Sequence, residues 1–115
     1  MPSIKLPYPP SANKLYRAVK GRVIKSAVYR QWALSCQAFA MGADVLSEGS
    51  WRVSVDMVPP DRRRRDLDNI LKPALDILVT LGLTPDDSEC MEIIAHKREP
   101  FGAGHLLITY ERAES

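Results

Sequence analysis

The chain has 115 residues, 45% of them hydrophobic, with 16 Lys or Arg against 14 Asp or Glu. That length suits one domain, expected over residues 1–115, that can bury a core without staples. It carries no long apolar run and no signal-peptide pattern, so no membrane partner and a soluble, cytoplasmic protein are expected.

Cys36 and Cys90 are distant and lack ligand-type spacing, and His96 and His105 do not join them as a zinc site, so a reduced intracellular chain is the simpler expectation. The net charge of +2 hides an asymmetry. Residues 1–43 hold seven Lys or Arg and no acid, whereas the remainder holds nine basic and fourteen acidic residues. Such a split points to a basic arm for a polyanion, with a solvated basic face as the bland alternative.

In chain order, Ser3 to Leu6 predicts a short strand. The stretch "LPYPPSANKLYRAVKGRVI" then reads as an ordered Pro-rich loop. Its Asn13, Lys14, Arg17 and Arg22, followed by Lys25, can grip a sugar-phosphate backbone together with its two tyrosines, Tyr8 and Tyr16, or can be ordinary surface groups. Ser26 is an N-cap candidate. The helix after it places Val28, Trp32 and Phe39, with Tyr29, Ala33, Cys36 and Ala40, on one core-facing side, and Gly42 ends it. Trp51, Val53, Val55 and Met57 alternate with polar residues as a half-buried strand, which Pro59-Pro60 stops. A second helix carries Ile70, Leu71, Ala74, Leu75, Leu78 and Leu81 inward and closes at Gly82. Pro73 favours a helix start near Asn69 or Ile70, so that the proline lies in or near the first turn. Met91 to Arg98 and His105 to Tyr110 read as strands joined by the Gly-rich "EPFGAGH". The expectation is an α+β fold, β-α-β-α-β-β, with one small mixed sheet packed with two helices.

The chemistry gathers in "PPDRRRRDLDNILKPALDIL", residues 59–78. Asp66 and Asp68 enter a helix two residues apart, and a divalent cation would relieve their mutual repulsion. Mg²⁺ prefers carboxylate, phosphate and water oxygens, and "DDSE" is the best source of a further acid, Asp86 or Asp87. Arg62, Arg63, Arg64 and Arg65 can hold phosphates through paired hydrogen bonds. Lys72 can orient water or offset charge in the transition state. The combination fits metal-assisted phosphodiester hydrolysis. The competing reading is a helix cap at Asp68 or Asn69 whose neighbouring arginines merely neutralise the aspartates. No Ser-His-Asp or Cys-His constellation and no Gly-rich nucleotide loop stands out, and His96 and His105 read as sheet residues.

"PDRRRRDLDN", then Lys72, then "DDS" with Asp87 nineteen residues after Asp68, closely resembles the RusA family of Holliday junction resolvases. The opening "LPYPPSANKLYR" and the C-terminal Gly-containing hairpin fit the same family, so the resemblance covers nearly the whole chain. It implies a small homodimeric endonuclease, typically encoded by phages and prophages, that resolves four-way DNA junctions by paired nicks with Mg²⁺ or Mn²⁺ and no small-molecule cofactor. The family's essential acids map onto Asp66, Asp68 and Asp87 as catalytic and metal-binding residues, with Asp87 preferred to Asp86 on spacing. Its lysine maps onto Lys72, and Arg65 and Asn69 match flanking positions. Two rivals differ in class: a catalytically inactive branched-DNA-binding protein, and a metal-dependent nuclease with another nucleic-acid substrate.

Overall fold

The computed structural model describes residues 2–113. Its frame is a four-stranded sheet in the order β1-β6-β4-β5, where β1 is Ser3–Pro7, β4 Trp51–Val58, β5 Cys90–Lys97 and β6 His105–Arg112. The β1/β6 and β6/β4 pairs are antiparallel and β4/β5 is parallel, so the sheet is mixed as expected. Alternation on β4 produces the core directly. Trp51, Val53, Val55 and Met57 point to one side and are buried, while the residues between them are only partly covered. Register then builds rows across the sheet: Ile4 opposite Ile108 opposite Val55, and Leu6 opposite Leu106 opposite Met57, all buried. Each such aliphatic side chain contributes about 1.5–3 kcal/mol on full burial.

Two helices cover that face. In α2 (Ala27–Ala40) the Ser26 hydroxyl caps the start by accepting the Tyr29 amide, as expected. Tyr29, Trp32, Ala33 and Cys36 are buried, and the Trp32 indole N–H donates to the Pro7 carbonyl at the end of β1. Burial pushes the Cys36 thiol up to about 12, so it is an inert core group. Phe39, expected in the core, is instead 54% exposed. It shares the helical stripe of Trp32 and Cys36, but lies in the last turn, past the buried part of the helix.

The other helix, α3 (Asp68–Thr80), is the crossover between the parallel strands β4 and β5, which such a pair requires. It begins at Asp68, slightly earlier than expected, so Pro73 is its sixth residue and not part of the first turn. The missing amide leaves the Asn69 carbonyl without its helical donor, and the buried ring packs inward beside Ala74 and Ile77.

The stretch expected to be a loop is structured. It forms a short helix α1 (Ala12–Leu15) and a two-stranded ribbon, β2 (Tyr16–Val19) and β3 (Arg22–Lys25). Lys20 and Gly21, both at positive φ, make the tight turn between them. Leu15 anchors this region in the core.

The Gly-rich hairpin expected between β5 and β6 is not formed: β4 lies between these strands, so the segment joining them passes across the end of β4, and one glycine in it fixes the loop that follows β4. Gly104 sits at φ +79, and a Cβ there would stand 2.8 Å from the Pro60 nitrogen and 3.0 Å from the Val58 carbonyl oxygen. Both neighbours are backbone and cannot turn aside. Gly104→Ala is therefore expected to lower unfolding free energy by roughly 2–4 kcal/mol, combining left-handed strain with overpacking. Urea unfolding checks this; a loss below about 0.5 kcal/mol, the size of an ordinary surface substitution, would show the approach to be slack.

Candidate active site and nucleic-acid interface

The loop between β4 and α3 carries the four arginines, and each pairs with a carboxylate, Arg63 and Arg65 sharing Asp61. Asp61 binds Arg65 through both oxygens, at 3.2 and 3.0 Å, and also accepts the Arg63 amide at 3.0 Å. These bonds, that from Arg65 foremost, hold the Asp61 carboxyl down at about 2. Arg65 is the least exposed of the four, its guanidinium lies 5.3 Å from the Tyr8 ring centroid, and its carbonyl accepts the Lys97 ammonium at 2.8 Å. Arg65 is thus a clamp tying the loop to the end of β1 and to β5. Arg62 pairs with Glu99 at 3.0 Å and Arg64 approaches Asp66 at 3.7 Å, but their side chains, like that of Arg63, are at least 80% exposed. Pairs this exposed contribute little and open readily toward another anion.

Asp66 and Asp68 stand where the loop enters α3; the Asn69 amide closes the turn onto the Asp66 carbonyl. Asp68 is the first helical residue, where exposed amides and the helix dipole favour negative charge. A small cleft of about 130 Å³ places Asp66, Asn69 and Arg64 against Tyr8 and Ser11. Lys72, one turn further along, is exposed.

Asp87 is not brought beside them. It opens a 3-10 turn (Asp87–Glu89) that follows α3 and leads into β5. Cys90 is paired with Trp51 at the start of β4, and the Trp51 indole N–H donates to the Asp86 carbonyl at 3.2 Å. Asp66 and Asp68 lie beyond the opposite end of β4. A helix of 13 residues separates the two places, about 20 Å of rise. Among the described residues no three His, Cys, Asp or Glu side chains are grouped to hold a metal ion. One turn of chain also distinguishes the two neighbouring acids. The Asp86 carboxylate accepts the Ser88 hydroxyl and amide, which lowers its pKa, whereas no side-chain hydrogen bond or ion pair engages Asp87 among the described residues.

The basic arm is the β2–β3 ribbon and what precedes it. Arg17 and Arg22 fall on one side of the ribbon; Tyr16 and its cross-strand partner Lys25 fall on the other, toward α3. Lys25 reaches the Thr80 hydroxyl at 3.4 Å and lies 5.0 Å from the Tyr29 ring centroid. Asn13, Lys14, Arg17 and Arg22 are exposed. An open cleft of about 510 Å³ runs between Asn13, Arg17, Val23 and Lys72, so the arm and the α3 entrance form one continuous surface. Asp76, which sequence reasoning missed, lies under it; it is buried on α3 and accepts a hydrogen bond from the Tyr16 hydroxyl at 2.8 Å, with Lys72 3.3 Å away, so Tyr16, expected to touch DNA, instead binds a carboxylate of its own chain. Spacing could have exposed the Lys72–Asp76 pair, four residues apart on one helix; nothing in the sequence announces Tyr16 as the third member.

His96 and His105 lie on β5 and β6, as expected of sheet residues. No helix among the described residues is long and apolar enough to cross a membrane.

Comparison with known proteins agrees over nearly the full length. Residues 7–105 match the family model described as endodeoxyribonuclease RusA. The chain is 36% identical over 110 residues to the crossover junction endodeoxyribonuclease RusA of Escherichia coli strain K12, covering 93% of this chain and 91% of that protein. It is 33% identical over 112 residues to the crossover junction endodeoxyribonuclease of Enterobacteria phage HK97 (96% and 93% covered), and 32% identical over 108 residues to that of phage 82 (92% and 90%). With a matching family model and relatives of this similarity spanning the chain, the protein belongs to the RusA family.

Proposed function

We propose that this chain forms a single endonuclease domain that cuts branched DNA, resolving four-way junctions by paired nicks with Mg²⁺ or Mn²⁺ as a homodimer. The observation that carries the reading is the sequence of groups along one edge: exposed Arg62, Arg63 and Arg64, then Asp66 and Asp68, then Lys72, on the end of a β-strand and the first turns of α3. The relatives bear the name crossover junction endodeoxyribonuclease.

The donor chemistry suits a hard divalent cation, since Asp66, Asp68 and Asp87 are all carboxylates. One chain holds them at opposite ends of α3, so a complete three-carboxylate set needs Asp87 of a second copy. That separation supports the homodimer, and two-fold symmetry would then give two equivalent sites for two nicks. The bound cation would supply an activated water and charge neutralisation. The chain's own groups do the rest. Asp66 and Asp68 orient the hydrolytic site at the helix entrance. Lys72 offsets negative charge developing on the phosphate. Arg62, Arg63 and Arg64 exchange their weak surface partners for backbone phosphates, and Asn69 lines the cleft beside Asp66.

The test is cleavage of a labelled four-way junction with Mg²⁺ or Mn²⁺, beside linear duplex and single-stranded controls. Symmetric nicks confined to the junction are expected. Tight junction binding with no cleavage in either metal would leave a DNA-binding module and overturn the enzyme.

Affinity supplies a further prediction. Lys14, Arg17 and Arg22 are assigned to backbone contacts, whereas Lys25, expected among them, faces α3 and docks the ribbon. Each true phosphate contact contributes about 0.9 to the slope of log K against log salt, so the threefold alanine variant should flatten that slope by about 2 to 3. An unchanged slope in a salt titration of junction binding would remove the arm from the interface.

A further inference from the structure

We infer that Asp76 and Tyr16 are positioning residues that fix the Lys72 ammonium for the reaction and tie it to the DNA-gripping ribbon. The inference rests on the reading of Lys72 as a catalytic group made above.

Asp76 is 8% exposed, unusual for a carboxylate in the second half of an amphipathic helix. Burying a charge is unfavourable unless it is paired and hydrogen-bonded. Both needs are met at one oxygen: Oδ2 accepts from the Tyr16 hydroxyl at 2.8 Å and stands 3.3 Å from the Lys72 Nζ. The same Nζ lies 4.9 Å from the Tyr16 ring centroid, within cation–π range. The ammonium is therefore held by a carboxylate and a ring that also hold each other. Burial and the neighbouring carboxylate raise the Tyr16 pKa, so its hydroxyl keeps its proton and remains the donor.

A helix-stabilising ion pair is the simpler explanation, and two features oppose it. Lysine precedes the acid here, the less favourable order for an i,i+4 pair. The third member comes from 60 residues away, on the strand that begins the basic ribbon. The ribbon is docked on α3 by Tyr16 to Asp76 and by Lys25 to Thr80. Phosphates gripped by Arg17 and Arg22 are thereby referenced to Lys72. Asp68 lies one turn on the other side of Lys72, in the favoured order for pairing. Without Asp76 the lysine would be free to turn back and neutralise it.

The test measures single-turnover junction cleavage for Asp76→Asn and Tyr16→Phe, each in wild-type and Lys72→Ala backgrounds, with junction affinity and thermal unfolding alongside. Misplacing a catalytic group by about 1 Å can cost 10²-fold, so Asp76→Asn should slow cleavage about 10- to 100-fold and Tyr16→Phe about 3- to 10-fold, with affinity changed less than about twofold. Tyr16→Phe keeps the ring while removing one hydrogen bond, and thermal unfolding of the same samples separates its effect on cleavage from any loss of the fold. In the Lys72→Ala background both effects should fall below about twofold, because the group they position is gone. Equal losses in the two backgrounds would overturn the inference and leave Lys72 as a catalytic residue. Wild-type cleavage by Lys72→Ala itself would instead remove the proposed role of Lys72, and the inference with it.

Discussion

Asp68→Asn is expected to abolish junction cleavage, by at least about 10³-fold, while leaving junction affinity within about threefold. The substitution is isosteric and keeps an amide-compatible group at the first position of α3. Its cost to the helix is limited to lost dipole interaction, about 0.3–1 kcal/mol. Binding is assigned to cations elsewhere, on the ribbon and the arginine loop, so affinity and chemistry should separate cleanly. Asp87→Asn should match it, although the residue lies at the far end of the helix. Asp86→Asn should cost much less, because that carboxylate serves the Ser88 turn. The separation of Asp68 from Asp87 gives a sharper outcome. Neither variant alone should cut, but mixing Asp68→Asn and Asp87→Asn chains should restore nicking, since one site of each mixed dimer would receive both native acids. No recovery in the mixture, with dimer exchange verified, would place the three acids in one chain's site and contradict the topology described above.

Much of the fold was legible because its signals are local. The strict alternation of Trp51 to Met57 and the apolar stripe of α3 correspond to β4 and to the helix that packs on it. The misses are of two kinds. Ribbon strands of four residues, with basic side chains and a Lys-Gly turn, carry too little alternation to distinguish them from a loop. Phe39 satisfies helical periodicity, yet period alone does not say where the covering surface stops. At the site, the residue types and their order could be read, but partners could not. That Asp61 would clamp Arg65, or that Tyr16 would reach Asp76, depends on where the chain returns in space. Most consequential was Asp87. Sequence spacing brings it back after one helix, but in a parallel crossover one helix leads to the other end of the strands.

Trp51→Ala is expected to lower unfolding free energy by about 3–5 kcal/mol, the usual range for deleting a buried large aromatic. Trp51 is fully buried at the start of β4, opposite Arg112 on β6 and Cys90 on β5. Small domains have only about 5–15 kcal/mol in all, so this variant should be marginal at physiological temperature. Trp51→Phe separates two roles of the residue. It retains most of the apolar body but loses the indole N–H that donates to the Asp86 carbonyl. That carbonyl belongs to an exposed residue and can turn to water, so the stability cost should be modest, about 1–2 kcal/mol. The turn carrying Asp87 would lose its tie to the sheet. Cleavage should therefore fall about tenfold or more at unchanged junction affinity, since small misplacements of a catalytic group are costly. Urea unfolding and single-turnover cleavage measured on the same samples distinguish the effects. Wild-type cleavage by a stably folded Trp51→Phe would mean that the turn is held by its own Ser88 hydrogen bonds, and that the indole serves the core alone.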